Sequence, residues 1–214
     1  MKKNLLTLTA VSSLLLSAAT LASESAEIKV IGEITTATCE VTMTNNGVFD
    51  FGKISQSMVK EDSSSLLGTK DQGGVRVKCS APTALTFTTT DNRLGTASYN
   101  TGKRGFGLGN VNGTGKLGFY YLNLSEPTVD GVASKLLQAS EGSIQTMESA
   151  KFIEQGKRFG WAPASGVNEL AVGKDFTFSM SAQAHLAGKS DMNGTLGEDT
   201  NLDGSATMEF GFGL

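Results

Sequence analysis

From Phe176 to Leu186 the chain alternates without a break. Phe176, Phe178, Met180, Ala182, Ala184 and Leu186 share one parity; Thr177, Ser179, Ser181, Gln183 and His185 share the other. A period of two is the period of a strand with one face buried, and a helix would scatter these apolar residues around its axis. The same period recurs along the chain. It appears at Ile28, Val30 and Ile34, at Phe49 and Phe51 around Asp50, and at Val75, Val77 and Cys79 around Arg76 and Lys78. It returns at Leu85, Phe87 and Thr89, and at Ala206, Met208, Phe210, Phe212 and Leu214 against Thr207 and Glu209. Between these runs lie turn residues: Asn45-Asn46-Gly47, Asn92 to Gly95, Gly105 to Gly115, Asn193-Gly194 and Asp203-Gly204. Short alternating strands separated by Gly and Asn turns predict an all-β sandwich or barrel. Helix is expected only as a turn or two, at Ser63–Leu67 and within Ala133–Ala150.

The first residues carry a different signal. Lys2 and Lys3 precede an uncharged apolar and small-residue run, Leu5 to Leu21, and Thr20-Leu21-Ala22 fits a signal-peptidase site. Residues 1–22 are therefore expected to be a secretory signal peptide. No later stretch reaches the roughly 18 apolar residues of a spanning helix. Removing Lys2 and Lys3 from the 18 basic residues leaves 16 against 21 acidic ones. A weakly acidic chain without a basic run does not suit nucleic acid. Export carries Cys39 and Cys79 into an oxidising compartment, where a disulfide between them is the expected state. A redox pair would sit closer in sequence, as in Cys-x-x-Cys.

No set of residues assembles a catalytic site. His185, the sole histidine, falls on the polar face of the strongest strand with nothing to orient it as a base. Gly188-Lys189-Ser190 resembles the tail of a phosphate loop, but Gln183 stands where that motif requires its first Gly. Glu61 and Asp62 precede three serines and read as a solvated loop. Trp161, Tyr120 and Tyr121 offer rings that stack on sugars, although a lone Trp between Gly160 and Ala162 is expected in the core. Asp199, Asn201 and Asp203 followed by Gly204 start like a calcium loop. Position 12 of that loop is Phe210 and Glu209 falls one short, so the run reads as a polar turn and at most a weak cation site. No cofactor is expected.

The two ends of the mature chain carry the remaining information. Ala26, Ile28 and Val30 alternate with Glu27 and Lys29, and the carboxyl end reads as a strand to its last residue. Strands need partners, either within their own sheet or in another subunit's.

Gly32-Glu33-Ile34, Cys39-Glu40-Val41, Phe49-x-Phe51-Gly52-x-Ile54 and Val75-x-Val77-x-Cys79 follow one another in that order. This order of short motifs resembles the chaperone–usher pilins. Cys79-Ser80-Ala81-Pro82-Thr83, Asp91-Asn92-Arg93, Phe106-Gly107-Leu108-Gly109, Trp161 and Leu202-Asp203-Gly204 bring it nearer a fimbrial-like, domain-of-unknown-function branch. The resemblance spans essentially the whole mature chain. It implies an immunoglobulin-like, pilin-type β-sandwich over residues 32–214, lacking its last strand. It implies that the first Cys opens the first strand, that the second closes the next, and that the two are bonded. It implies a donor-strand arm over residues 23–31 with Ala26, Ile28 and Val30 as donor residues. It makes Phe210, Phe212 and Leu214 the groove edge that a chaperone covers. The implied partners are a periplasmic chaperone, an outer-membrane usher and other pilin subunits. Two features depart from the pattern: only nine residues separate Ala22 from Gly32, and Gly213 stands where those pilins have a penultimate Tyr.

The expected function is thus a non-enzymatic, exported fimbrial-type subunit in the periplasm or on a surface pilus, assembled by donor-strand complementation. The alternative is a free-standing monomer of the same fold with a regulatory or adhesive role. A small outer-membrane barrel is a third reading, disfavoured by few aromatics and long polar Gly-rich stretches.

Overall fold

The computed structural model describes residues 28–34, 36–140, 143–146, 149–197 and 200–213. The signal segment, Ala26, Asp199 and Leu214 lie outside the described residues. Two units divide the chain, Met1–Ile34 and Thr35–Leu214. In the first, residues 28–34 form no strand. Ile28, Val30, Ile31 and Ile34 are exposed at 88% to 104%.

The second unit is an antiparallel β-sandwich. Its organising element is β2, Ser65–Asp91, a single strand of 27 residues that belongs to both sheets. In the first sheet β2 lies between β1 (Cys39–Met43) and β12 (Val172–Leu186); beyond β12 comes β6 (Gly118–Val129). The far edge of β6 pairs with the short strands β3 (Phe106–Gly107), β7 (Val132–Ala133) and β10 (Ala150–Phe152). In the second sheet the end of β2 lies between β13 (Ala206–Phe212) and β11 (Arg158–Ala162), followed by β8 (Lys135–Ser140) and β9 (Ser143–Thr146). A separate ribbon joins β4 (Asn110–Val111) to β5 (Gly115–Lys116).

The passage of β2 between sheets has a local cause. Its ladder with β12 jumps from Lys78↔Asp175 to Thr83↔Gly173, leaving extra residues on β2. Pro82 falls in that interval. It has no N–H to donate, so the bulge is where a proline can sit inside a long strand.

The alternation read from sequence fixes the faces. Phe176, Phe178, Met180, Ala182, Ala184 and Leu186 are all buried on the inner face of β12. Leu85 and Phe87 face them from the second sheet. The Phe87 ring centroid is 5.4 Å from Phe178, 5.8 Å from Phe159 and 5.8 Å from Trp161. Each such buried ring or Leu contributes about 1.5–3 kcal/mol. Trp161 is fully buried, and its Nε1–H donates to the Thr177 carbonyl oxygen at 2.9 Å. An apolar inside and a polar outside are the reverse of an outer-membrane barrel.

Several expectations are corrected. Residues 65–67 and 135–140 are strand, not helix. Tertiary pairing decides there: β8 pairs with β11, and its two adjacent leucines are buried on opposite faces, Leu136 in the main core and Leu137 in a second cluster with Ala139 and Ala162. Cys79 does not close its strand, because β2 continues for twelve residues to Asp91. Phe49 and Phe51 alternate but form no strand. Their side chains pack on the core from one side while the backbone has no ladder partner.

Candidate functional groove

Cys39 and Cys79 are directly opposed in the β1–β2 register and form the disulfide. The bond ties the first strand of the sandwich to the middle of β2. Thr38 completes the join, its N–H donating to Ser80 Oγ at 3.0 Å.

The two strands at this side of the sandwich, β1 and β13, each have a ladder partner on one side only among the described residues, and it is β2 in both cases. Between them the sheets part. A groove of about 1060 Å³ opens there. Its floor is the inner face of the first sheet: Tyr120 and Leu122 of β6, and Met180, Ala182 and Leu186 of β12, with Leu108 and Leu117. One wall is the segment from Gly47 to Gln56 after β1, with Phe49, Phe51 and Ile54 turned inward and half-buried. The opposite wall is Ala206 and Met208 of β13. Such a volume matches the largest ordinary ligand clefts, and its floor is apolar.

The floor residues are there because of β-sheet parity. Register pairs Ala182 with Leu122 and Ala184 with Tyr120, so every second residue of β12 and β6 points into the sandwich. Where β13 and β1 fail to meet, those side chains border the groove while each stays at 8% exposure or less. Burial pushes the Tyr120 hydroxyl pKa upward, so this group is a neutral donor at any physiological pH.

The predicted site residues are distributed as follows. Phe210 is half-buried on β13, its ring 5.4 Å from Phe87, and Phe212 is 52% exposed. The groove takes its β13 wall from Ala206 and Met208, earlier in the same alternation. Ile28 and Val30 are exposed in the arm. Asn201 borders the groove, and Asp203 is occupied by Arg93. Among the described residues no three His, Cys, Asp or Glu side chains cluster as metal ligands. Lys189, from the rejected phosphate motif, pairs with Glu61 at 2.8 Å, which accounts for both charges. His185 lies on the outer face of the first sheet, stacked on Phe119 at 4.7 Å and edge-on to Tyr121 at 5.9 Å. Burial lowers its pKa and favours the neutral ring. Among the described residues no helix is long and apolar enough to cross a membrane.

Sequence reasoning misses the walls. The segment after β1 carries a strand-like alternation, and only the absence of a partner shows that it lines an opening. On β13 the large apolar residues Phe210 and Phe212 draw attention away from Ala206 and Met208, which form the wall.

Residues 28–116 match the model of a family described as "Protein of unknown function (DUF1120)". No curated protein matches the chain.

Proposed function

We propose that this protein is an exported, non-enzymatic structural subunit of fimbrial type that assembles by strand complementation. The observation that carries the reading is the coincidence of an apolar groove with a bare strand edge. Among the described residues β13 has a ladder partner on one side only, and the floor of the groove beside it is lined by Leu122, Met180, Ala182 and Leu186. An added strand supplies both missing parts: its backbone bonds the edge, and every second side chain enters the groove. The N-terminal arm has the right chemistry for that strand. Its described residues include four exposed aliphatic side chains, Ile28, Val30, Ile31 and Ile34. A copy whose arm fills the next copy's groove makes a head-to-tail contact, and such contacts propagate into fibres. In this reading a periplasmic chaperone guards the groove before assembly, an usher exports the subunit, and other pilin subunits are its neighbours.

One observation favours the alternative, a free-standing periplasmic or surface monomer of the same fold. Phe49 and Phe51 already occupy part of the groove mouth from within the same chain.

The test compares oxidised 23–214 with a version starting at Gly32, by mass in solution and thermal unfolding. Multimers that resist detergent and vanish on truncation support the subunit reading. A stable monomer that loses stability on truncation overturns it and supports the free-standing one.

A further inference from the structure

The wall formed by residues 48–54 differs from the strands that line the groove. The β6 and β12 floor and the β13 wall are held by ladders. Among the described residues, no backbone hydrogen bond joins Phe49 to Ile54 with any strand. What holds the segment is side-chain burial: Phe49, Phe51 and Ile54 lie half-buried against the core cluster, while Val48 is 54% exposed. Its ends are conformationally distinct. Asn45, Asn46 and Gly47 are consecutive left-handed residues, with φ of 49°, 52° and 75°. Asn45 Nδ2 closes this turn on the Val48 carbonyl oxygen at 3.0 Å. Gly52 is left-handed again at 64°, and its N–H donates to Asp50 Oδ1 at 2.7 Å. Beyond it Gln56 Nε2 anchors the chain to the Gly197 carbonyl oxygen at 3.2 Å. The segment is thus a strap fixed at both ends, jointed at Asn45–Gly47 and Gly52, and free of ladder bonds between.

We propose that this strap is a built-in cover for the groove: in the free subunit Phe49, Phe51 and Ile54 shield apolar floor that an added strand would cover. This rests on the strand-complementation reading and gives that site a regulation. Lifting the strap breaks no ladder hydrogen bond; it trades the burial of its own side chains for that of an incoming strand. The free subunit is then less adhesive than its groove volume implies, and strand entry is a competition between two sets of apolar side chains for one floor.

The test uses the oxidised mature chain with Phe49→Ala and Phe51→Ala combined, and each change singly should the pair fail to fold. Buried Trp161 reports folding through its emission and near-ultraviolet circular dichroism. Two probes are added: anilinonaphthalene sulfonate, which binds exposed apolar surface, and a synthetic peptide of residues 23–34. If the strap is a cover, the folded variant binds several times more dye than wild type. It also takes up the peptide about tenfold more tightly, the scale of releasing one half-buried ring. Phe51→Leu, which keeps an apolar side chain, stays near wild type. Unchanged dye binding, or weaker peptide binding by the variant, overturns the cover and makes residues 48–54 a fixed wall. A peptide that binds neither protein overturns the strand-complementation reading, and dye binding still decides the strap.

Discussion

Arg93 and Asp203 meet in a two-pronged ion pair, with Arg93 Nε and Nη2 each 2.8 Å from a carboxylate oxygen of Asp203. The pair joins the turn that follows β2 to the loop that enters β13. It therefore sets where the β13 wall of the groove begins. Hydrogen bonding and charge from Arg93 hold the Asp203 carboxyl below the ordinary aspartate value of 3.8. A depressed carboxylate stabilises the fold fully above its unfolded value, and that contribution disappears as pH falls through the folded one. Both groups are solvent-exposed, so the effect is small. Asp203→Asn is expected to lower Tm at pH 7 by no more than about 4 °C. The gap between variant and wild type should close as pH drops below 3.8. Thermal unfolding at a series of pH values checks this; a gap that widens in acid would contradict it.

The Cys39–Cys79 bond closes a loop with a sequence separation of 40. In the chain-entropy model a loop of that size is worth about 4 kcal/mol, by restricting the unfolded chain. Replacing both residues by Ser should lower stability by about 2–5 kcal/mol in denaturant titration. The loss should act mainly on the unfolded chain, since β1 keeps its five-residue register with β2. A loss well under 1 kcal/mol would mean that the reduced chain already holds these strands together when unfolded.

Much of the sandwich is legible in the sequence, and the physical reason is parity. Where a strand is buried on one face and wet on the other, as from Phe176 to Leu186, alternation names both its existence and its inner residues. The length of β2 is not legible in this way. Gly73, Gly74, Pro82 and Thr83 interrupt its pattern, and only pairing with β12, β1, β11 and β13 in turn keeps it extended. The helical turn expected near Leu136 and Leu137 fails for a related reason: adjacent leucines fit a helix locally, but both sides of β8 are covered and both are buried. The groove is least legible of all. It is a space between residues far apart in the chain, such as Phe49, Met180 and Met208, and no local pattern encodes what is missing between them.

Trp161 joins the sheets through both its ring and its N–H. The ring packs at 5.1 Å from Phe176 and 5.5 Å from Phe178. Trp161→Ala should cost about 3–5 kcal/mol as a core truncation. Trp161→Phe should cost less, about 1–3 kcal/mol, by leaving the Thr177 carbonyl without this donor. Urea midpoints with an unchanged slope are the measurement. Equal losses for the two variants would show that the hydrogen bond, and not the ring, carries the site.

Ala182 and Ala184 offer the sharpest test that the groove is space in the folded protein. Both lie on the inner face of β12, and both are nearly inaccessible, at 2% and 0%. Only Ala182 borders the groove. Enlarging Ala184 to Leu forces extra atoms into filled core and should cost about 1–3 kcal/mol. Enlarging Ala182 to Leu sends the same atoms toward the opening, where less packed core opposes them, so the cost should stay under about 1 kcal/mol. The two variants differ in position by one pleat and in chemistry not at all, so their difference isolates the local packing. If strand complementation fills this groove, the enlarged side chain at position 182 occupies part of the donor's place. Ala182→Leu should then reduce multimers of the mature chain while leaving the monomer stable. Equal costs for the two variants would mean that the floor is closed in solution, and strand entry would then have to rebuild the core beneath it.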